Sequence, residues 1–344
     1  MSNSPNDGVL VDRFGRVATD LRISLTDLCS LRCTYCMPAE GLPWLAKAQR
    51  LTDDEFERLA ALFVGLGVRS IRLTGGEPLV HPTLPEVVAR LAALEPRPEL
   101  SLTTNGITLD RAARKLADAG LDRINVSVDT LDREHFKQLT RRDRLDDVLA
   151  GVAAAADTGL SPIKINSVLV RDGNLHEAPD LLTWALQRGY VLRFIEHMPL
   201  DADHIWSRSA MVTADEILEL LAGAGYRLAP REARAHAPAE EFAVMDGPDR
   251  DTWASEFGRV GVIASVTRPF CRDCDRLRLT ADGQLRTCLF AQTETDLRGP
   301  LRNGATDDEL ARIIIDAVAD KQEGHGIGSA TFVQPIRTMS AIGG

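Results

Sequence analysis

The sequence predicts an α/β fold: a partial (β/α)6 barrel of the TIM type with a C-terminal extension. Three observations predict it. Short runs rich in Val, Ile and Leu alternate with amphipathic segments up to about residue 224. The alternation fades after that point. The unusual polar residues of the first part all fall at the ends of the apolar runs or just beyond them. Strands buried on both faces read as near-continuous apolar runs, and their alternation with helices implies a parallel sheet.

The predicted strands are 21–25, 68–73, 99–103, 123–128, 163–170 and 191–196. Thr52-x-x-Glu55, Thr83-x-x-Glu86 and Asn174-x-x-Glu177 read as capping boxes that start helices, and Gly67, Gly120, Gly159 and Gly189 as helix stops. Six units are two short of a closed eight-stranded barrel, so an open or partial barrel is expected. Residues 226–257 read as irregular, and a helix is predicted over 306–320, ahead of a tail ending Gly343-Gly344. Two domains follow: 13–224, the barrel, and 225–344, the extension.

The chain has 344 residues, 44% hydrophobic and 26% charged, with a formal net charge of −10. That balance suits a soluble globular protein and argues against a nucleic-acid lattice or a membrane surface as partner. No run of eighteen apolar residues suggests a membrane span, and the N-terminal segment lacks a secretory pattern. A cytoplasmic location is expected, where thiols stay reduced. Local basic charge does exist: Arg268, Arg272, Arg276, Arg278 and Arg286 crowd one segment and suit a small polyanion.

In parallel α/β folds the chemistry lies beyond the C-terminal ends of the strands. Here Cys29, Cys33 and Cys36 follow the first strand, and Thr74-Gly75-Gly76-Glu77-Pro78 the second. Thr103-Thr104-Asn105-Gly106 follows the third, Ser127 and Asp129 end the fourth, Lys164 lies on the fifth, and Glu196 and Met198 end the sixth. Arg72 and Lys164 interrupt apolar runs, where an unpaired charge is costly, so each needs an Asp, a Glu or a phosphate.

All six cysteines fall into two trios, C-x3-C-x2-C from Cys29 to Cys36 and C-x2-C-x13-C from Cys271 to Cys288. Four protein ligands close a structural zinc or iron–sulfur site, so three leave one metal position open. The first trio suits three irons of a cubane. Zinc is the alternative, but the nearest histidine in sequence is His81; for the second trio His325 or His236 could complete a zinc site. Tyr35, just before the third cysteine, can shield a cluster or serve as a core aromatic.

The C-x3-C-x2-C spacing, the aromatic before its last cysteine and the Gly75-Gly76-Glu77-Pro78 run resemble the radical S-adenosylmethionine enzymes. The whole chain from Leu21 onward resembles a narrower family, the GTP 3′,8-cyclases of molybdenum-cofactor biosynthesis. The motifs that carry this are Arg22-Ile23-Ser24-Leu25-Thr26-Asp27, Ile71 to Leu79, Asn125 to Asp129, Arg193 to Pro199, Cys271 to Leu279 and the terminal Gly343-Gly344. The resemblance implies two 4Fe-4S clusters, one on each trio, with S-adenosylmethionine at the first and GTP at the second. It assigns S-adenosylmethionine contacts to Tyr35, Gly76, Ser127 and Met198. It assigns GTP contacts to Arg22, Arg72, Thr103, Lys164, Arg276, Leu277 and Arg278, and a catalytic role to Gly343 and Gly344. The implied reaction removes the ribose 3′ hydrogen of GTP with a 5′-deoxyadenosyl radical and joins C3′ to C8 of guanine. It further implies a homodimer, an electron donor such as flavodoxin or ferredoxin, and a cyclic pyranopterin monophosphate synthase that takes the product.

One departure stands out. Many members read T-D-R-C-N where this chain reads Thr26-Asp27-Leu28-Cys29-Ser30, with the three thiols intact. Two rival readings are a radical enzyme that modifies peptides and a two-cluster electron-transfer module. The first usually carries more C-terminal cysteines, and the second has no need of the Gly-Gly-Glu-Pro rim.

Overall fold

The structure is a computed structural model that describes residues 9–204, 206–232, 236–329 and 332–343. The first half runs β1 (Asp20–Ser24), α1 (Asp53–Gly65), β2 (Ser70–Thr74), α2 (Leu84–Ala92), β3 (Glu99–Thr104), α3 (Leu109–Asp118), β4 (Arg123–Ser127), α4 (Arg133–Thr140), α5 (Leu145–Ala156), β5 (Ile163–Val168), α6 (Ala178–Gln187), β6 (Val191–Ile195) and α7 (Ala214–Gly223). The second half adds β7 (Arg227–Pro230), β8 (Glu240–Asp246), β9 (Gly258–Ile263), β10 (Arg276–Leu279), β11 (Gln284–Arg286), β12 (Thr295–Asp296), α8 (Arg298–Arg302), α9 (Asp307–Ala319) and α10 (Met339–Ile342).

All six predicted strands form, with ends shifted by no more than two residues. They pair in parallel and in sequence order within one twelve-stranded sheet, β12-β11-β10-β1-β2-β3-β4-β5-β6-β9-β8-β7. β10 joins β1 in parallel at one side and β9 joins β6 in parallel at the other, so the second half extends the barrel strands at both ends. Among the described residues β12 and β7 are the edges and the sheet stays open. Residues 226–257, expected to be irregular, instead carry the antiparallel pair β7 and β8. The pair is half-exposed at a sheet edge, so neither strand needs the long apolar run that marks a central strand.

Alternation sets the two faces of the sheet. Leu21 and Ile23 of β1, Ile71 and Leu73 of β2, and Leu277 and Leu279 of β10 are fully buried with Phe56, Phe63 and Leu91 of the covering helices. Arg22, Arg72, Arg276 and Arg278 occupy the intervening positions and face the concave side. The capping box Thr52/Glu55 forms as expected, with both reciprocal bonds. Thr83 makes no cap; its hydroxyl donates to Asp53 at 2.5 Å. Asn174 also makes none, because its amide ties Asp129 O to Val168 O, at 2.7 and 3.0 Å. The four stop glycines all take positive φ.

Candidate active site

A cavity of about 310 Å³ opens at the C-terminal ends of the parallel strands and is lined by all six cysteines. The two trios, about 240 residues apart in sequence, therefore face one space.

The first trio sits on the loop after β1. Arg32 Nη1 donates to Cys29 O at 2.8 Å, and Arg141 Nη1 donates to Arg32 O and Met37 O at 3.2 and 2.8 Å. Asn105 Nδ2 bridges Ser30 Oγ at 3.0 Å and Cys29 Sγ at 3.8 Å, so Ser30 makes the contact available at its position. Burial pushes the Cys29 thiol up to about 11 and the Cys36 thiol up to about 12. Such thiols are strongly protonated until a metal displaces the proton. Tyr35 donates to Asp129 Oδ2 at 2.5 Å, while Val168 N donates to Oδ1 at 2.9 Å. Burial lifts this Asp129 carboxyl to about 6.

Around a single zinc, thiolates about 2.3 Å from the ion lie about 3.8 Å apart. Among the described residues, the donor set that closes to within 4.8 Å is His135, His176 and Glu177, outside the cavity, and includes neither cysteine trio. The spread of the thiols fits a multi-iron cluster better than one ion.

The Gly-Gly-Glu-Pro segment is pinned to the loop before the first trio. Gly76 N donates to Thr26 O and Glu77 N to Leu28 O, both at 2.7 Å. A Cβ on Gly76 would lie 2.3 Å from Leu28 O, so only glycine fits there. Glu77 is a buried peg between rims: it accepts from Thr104 Oγ1 at 2.6 Å, Asn105 N at 2.6 Å and Leu79 N at 2.9 Å. Burial raises its carboxyl to about 7. Glu196 plays the matching part at β6, accepting from Ala214 N, Val266 N and Thr267 N at 2.8 to 2.9 Å.

Deeper in the cavity the charge reverses. Arg278, Arg22 and Arg72 are register partners on the adjacent strands β10, β1 and β2, and Arg276 and Arg193 also line the space. Like charges directly opposite on neighbouring strands repel. Burial first, then Arg72, drops Arg22 to about 9; burial also takes Arg72 and Arg193 to about 10 and Arg278 well down. Asp20, 3.8 Å from Arg22, is held low by Arg22, Arg72 and Arg276 despite its burial. Arg22 Nε, Arg72 Nε and Arg276 Nη2 are buried without a hydrogen-bond acceptor. One carboxylate cannot balance this set, and the orphaned donors point to a polyanion.

The second trio has a cationic setting. Arg16 donates to Cys271 O at 2.7 Å, and Lys321 Nζ lies 3.8 Å from Cys274 Sγ. Burial raises the Cys274 thiol, but Arg276 and Lys321 outweigh it and leave the thiol below its usual value. His236 donates to or accepts from no cysteine in this arrangement; its Nδ1 meets Asp273 O at 2.7 Å. His325 lines the cavity beside Phe290.

The tail runs between the two trios. Arg337 forks onto Asp282 at 2.9 and 2.6 Å and anchors it. Ser340 bonds the Cys36 thiol, and Arg278 donates to Gly343 O. Gly343 has φ +89°, and a Cβ there would lie 2.5 Å from Thr74 Oγ1. Gly344 lies outside the described residues.

Tyr35, Gly76, Ser127, Met198, Arg22, Arg72, Thr103, Arg276 and Arg278 all line the cavity. Leu277 does not: it faces the apolar core, as alternation between Arg276 and Arg278 requires. Lys164 is also outside the lining; it is half-buried beside Arg193 and Arg123, and burial with their charge lowers it to about 8. Asn166 and Lys321 carry no mark in the sequence, while Asn105 lies in the segment after the third strand and Arg193 in a family motif, neither with an assigned role. Arg193 donates to Asn166 Oδ1 at 2.9 Å and Asn125 Oδ1 at 3.0 Å. Its place inside an apolar run was the same signal that marked Arg72 and Lys164.

Residues 23–185 match the Radical SAM superfamily, and residues 190–327 match the family described as Molybdenum Cofactor Synthesis C. The GTP 3′,8-cyclase of Streptomyces coelicolor is 60% identical over 339 residues, covering 98% of this chain and 96% of the relative. The GTP 3′,8-cyclase of Mycolicibacterium smegmatis is 56% identical, covering 100% and 94%. Streptococcus suis SuiB, solved in complex with S-adenosylmethionine, superposes with a TM-score of 0.59 at 14% identity over 95% of this chain and 78% of its own. At that identity SuiB shares the fold alone. Among the described residues no helix is long and apolar enough to cross a membrane.

Proposed function

The chain belongs to the GTP 3′,8-cyclase family, and from that premise we propose that its two cysteine trios hold two 4Fe-4S clusters facing each other across the arginine row. The protein is a radical S-adenosylmethionine enzyme and a lyase of molybdenum-cofactor biosynthesis. It converts GTP to (8S)-3′,8-cyclo-7,8-dihydroguanosine 5′-triphosphate, the first step of that synthesis. An iron–sulfur cluster and S-adenosylmethionine come with the superfamily.

The single observation that carries the substrate assignment is the row Arg278–Arg22–Arg72, three buried guanidiniums in register with one nearby carboxylate. A triphosphate supplies the missing negative charge, and guanidinium forks match its oxygens in pairs. When bound, the first cluster and S-adenosylmethionine would supply the radical chemistry that joins C3′ of the ribose to C8 of guanine. The chain's own residues position the partners. Cys29, Cys33 and Cys36 hold the first cluster. Gly76 lets its segment lie against the Leu28 carbonyl, beside the place of the cofactor's methionine end; Tyr35 and Asp129 fix the loop beside it; Ser127 and Met198 line its other side. Cys271, Cys274 and Cys288 would hold the second cluster, next to the part of the cavity that takes the nucleotide. Arg22, Arg72, Thr103, Arg276 and Arg278 hold GTP, and Lys164 adds charge behind Arg193. Leu277 contributes by setting the spacing of Arg276 and Arg278. Gly343 packs against Thr74 and Ser24 and presents its carbonyl to Arg278, and a catalytic role for Gly343 and Gly344 belongs to the same reading. Such positioning converts a bimolecular encounter into an intramolecular one.

The division into 13–224 and 225–344 belongs to the same proposal: the first part makes the radical, the second binds the nucleotide. A partial barrel, a homodimer, a flavodoxin or ferredoxin donor, cytoplasmic residence and delivery to a cyclic pyranopterin monophosphate synthase complete it. The test is anaerobic reconstitution with iron and sulfide, followed by mass analysis after addition of S-adenosylmethionine, a reductant and GTP. Expected are about eight irons per chain, 5′-deoxyadenosine and a cyclised GTP. Zinc, or 5′-deoxyadenosine without a GTP product, overturns the reading.

A further inference from the structure

We propose that Lys321 is an electrostatic positioning residue for the second cluster: its ammonium group holds the Cys274 thiolate and raises the midpoint potential of that cluster. The proposal rests on the two-cluster reading above.

Lys321 lies just beyond α9 and is 2% exposed. Its Nζ donates to Cys274 O at 2.7 Å and to Arg276 O at 3.1 Å, and lies 3.8 Å from Cys274 Sγ. An ammonium group has three donors, and these three contacts use them. None is a carboxylate. The negative groups that face it are Cys274 and Cys288, while Arg16 and Arg276 add positive charge. A buried cation without a counter-charge is costly, so the sequence would not keep one unless an anion occupies the site.

The neighbouring Arg16 shows the contrast. It is also buried, and its guanidinium donates to Cys271 O, Gln322 O and Glu323 O at 2.6 to 2.8 Å. Asp12 neutralises it at 2.5 Å. Arg16 therefore ties the N-terminal segment to the second trio with little net charge. Lys321 has no carboxylate against its charge, and although burial lowers it, Cys274 favours its charged form 3.8 Å away. Reduction adds one negative charge to an iron–sulfur cluster, and a fixed cation beside it stabilises the reduced form more than the oxidised form. Its removal makes the cluster harder to reduce.

Lys321→Met keeps the length of the side chain and removes the charge; Lys321→Arg keeps the charge. The measurement is a redox titration of anaerobically reconstituted protein without GTP, followed by electron paramagnetic resonance. A Cys33→Ser variant assigns which couple belongs to the second trio. In Lys321→Met the second couple shifts to more negative potential and the first stays in place; in Lys321→Arg both stay at the wild-type values. If Lys321→Met loses the second cluster's iron and Lys321→Arg retains it, the ammonium is needed to hold the thiolate, which also supports the proposal. An unmoved second couple in Lys321→Met overturns it, as does equal loss of iron from both variants. Wild-type protein with iron for one cluster overturns the two-cluster reading instead, and iron analysis reveals that before any variant is titrated.

Discussion

Cys29, Cys33 and Cys36 sit among apolar groups with Glu77 and Asp129 close by, whereas Cys271, Cys274 and Cys288 sit beside Arg16, Arg276 and Lys321. Burial drives the first thiols up, to about 11 at Cys29 and about 12 at Cys36, while cations pull Cys274 below its usual value. Burial raises Cys271 and Cys288 as it raises the first trio, so the difference between the two sites centres on Cys274 and the cations around it. A site that must give an electron to S-adenosylmethionine benefits from surroundings that disfavour extra negative charge on the reduced state. A site beside a nucleotide triphosphate benefits from cations that tolerate anions. On the proposed two-cluster reading, charge as well as cysteine spacing distinguishes the two halves of the cavity.

The sharpest break of that comparison exchanges one cysteine in each trio. Cys33→Ser should remove one cluster and abolish production of 5′-deoxyadenosine. Cys274→Ser should also halve the iron, from about eight to about four per chain, yet still release 5′-deoxyadenosine while forming no cyclised product. Iron analysis and product chromatography on the two variants check this. Equal behaviour of the two would erase the division of labour.

Next in size is the arginine row. Arg72→Met removes one of the three guanidiniums that share a register. Loss of charge-assisted hydrogen bonds costs about 1.5–3 kcal/mol, so GTP should bind about ten- to a hundredfold more weakly. Without GTP the variant should melt higher than wild type, because Arg22 loses the neighbour that repels it. Calorimetric titration and thermal melts with and without GTP test both signs. A wild-type affinity would place the triphosphate elsewhere.

A smaller effect comes from pH. Burial lowers Lys164 to about 8, so it is charged below that value and loses charge above it, while the guanidiniums of the row stay protonated. A bound triphosphate favours the charged form. GTP affinity should therefore be level below about pH 7 and decline as pH rises through about 8. Lys164→Met should remove the decline. Binding isotherms between pH 7 and 9.5 check it; an affinity that rises with pH would contradict the charge assignment.

How much of this was legible in the sequence follows from what the signals measure. The central strands were visible because burial on both sides demands apolar runs, and β1 to β6 appear within two residues of expectation. Arg72 was visible as a charge breaking such a run, and Lys164, with the same mark, lies outside the cavity lining; Arg22 rested on the family resemblance. Arg193 carried the same mark inside Val191–Ile195 and was passed over. The edge strand β7 and its neighbour β8 gave no comparable signal, because half-exposed strands tolerate acids, Ala and Pro. Lys321 was invisible for a different reason. Its neighbours are backbone carbonyls and a thiol more than forty positions away, and only the fold brings them together. Asn174 and Thr83 carried capping patterns, but tertiary partners Asp129 and Asp53 claimed their side chains.

The finest test concerns how each trio's loop is held. Near the first trio the hold is a buried acid, Glu77, fixed by Thr104, Asn105 and Leu79; near the second it is the cation pair of Arg16 and Lys321. Burial raises Glu77 from 4.5 to about 7. A carboxyl raised on folding contributes stability that is full below its unfolded value and is lost as pH rises through the folded one. Between about pH 4.5 and 7, then, this group makes the protein less stable as pH increases. Glu77→Gln should flatten that part of the profile, leaving Asp129, near 6, as a remaining contributor. At pH 8 the variant should melt a few degrees lower, since an amide cannot accept from both Asn105 N and Leu79 N with two oxygens as the carboxylate does. Melts from pH 5.5 to 8 on anaerobic protein measure both effects. The second trio's iron should be retained in Glu77→Gln, because its own anchors, Arg16 and Lys321, are untouched; loss of iron from both trios together would mean that the two holds are not independent.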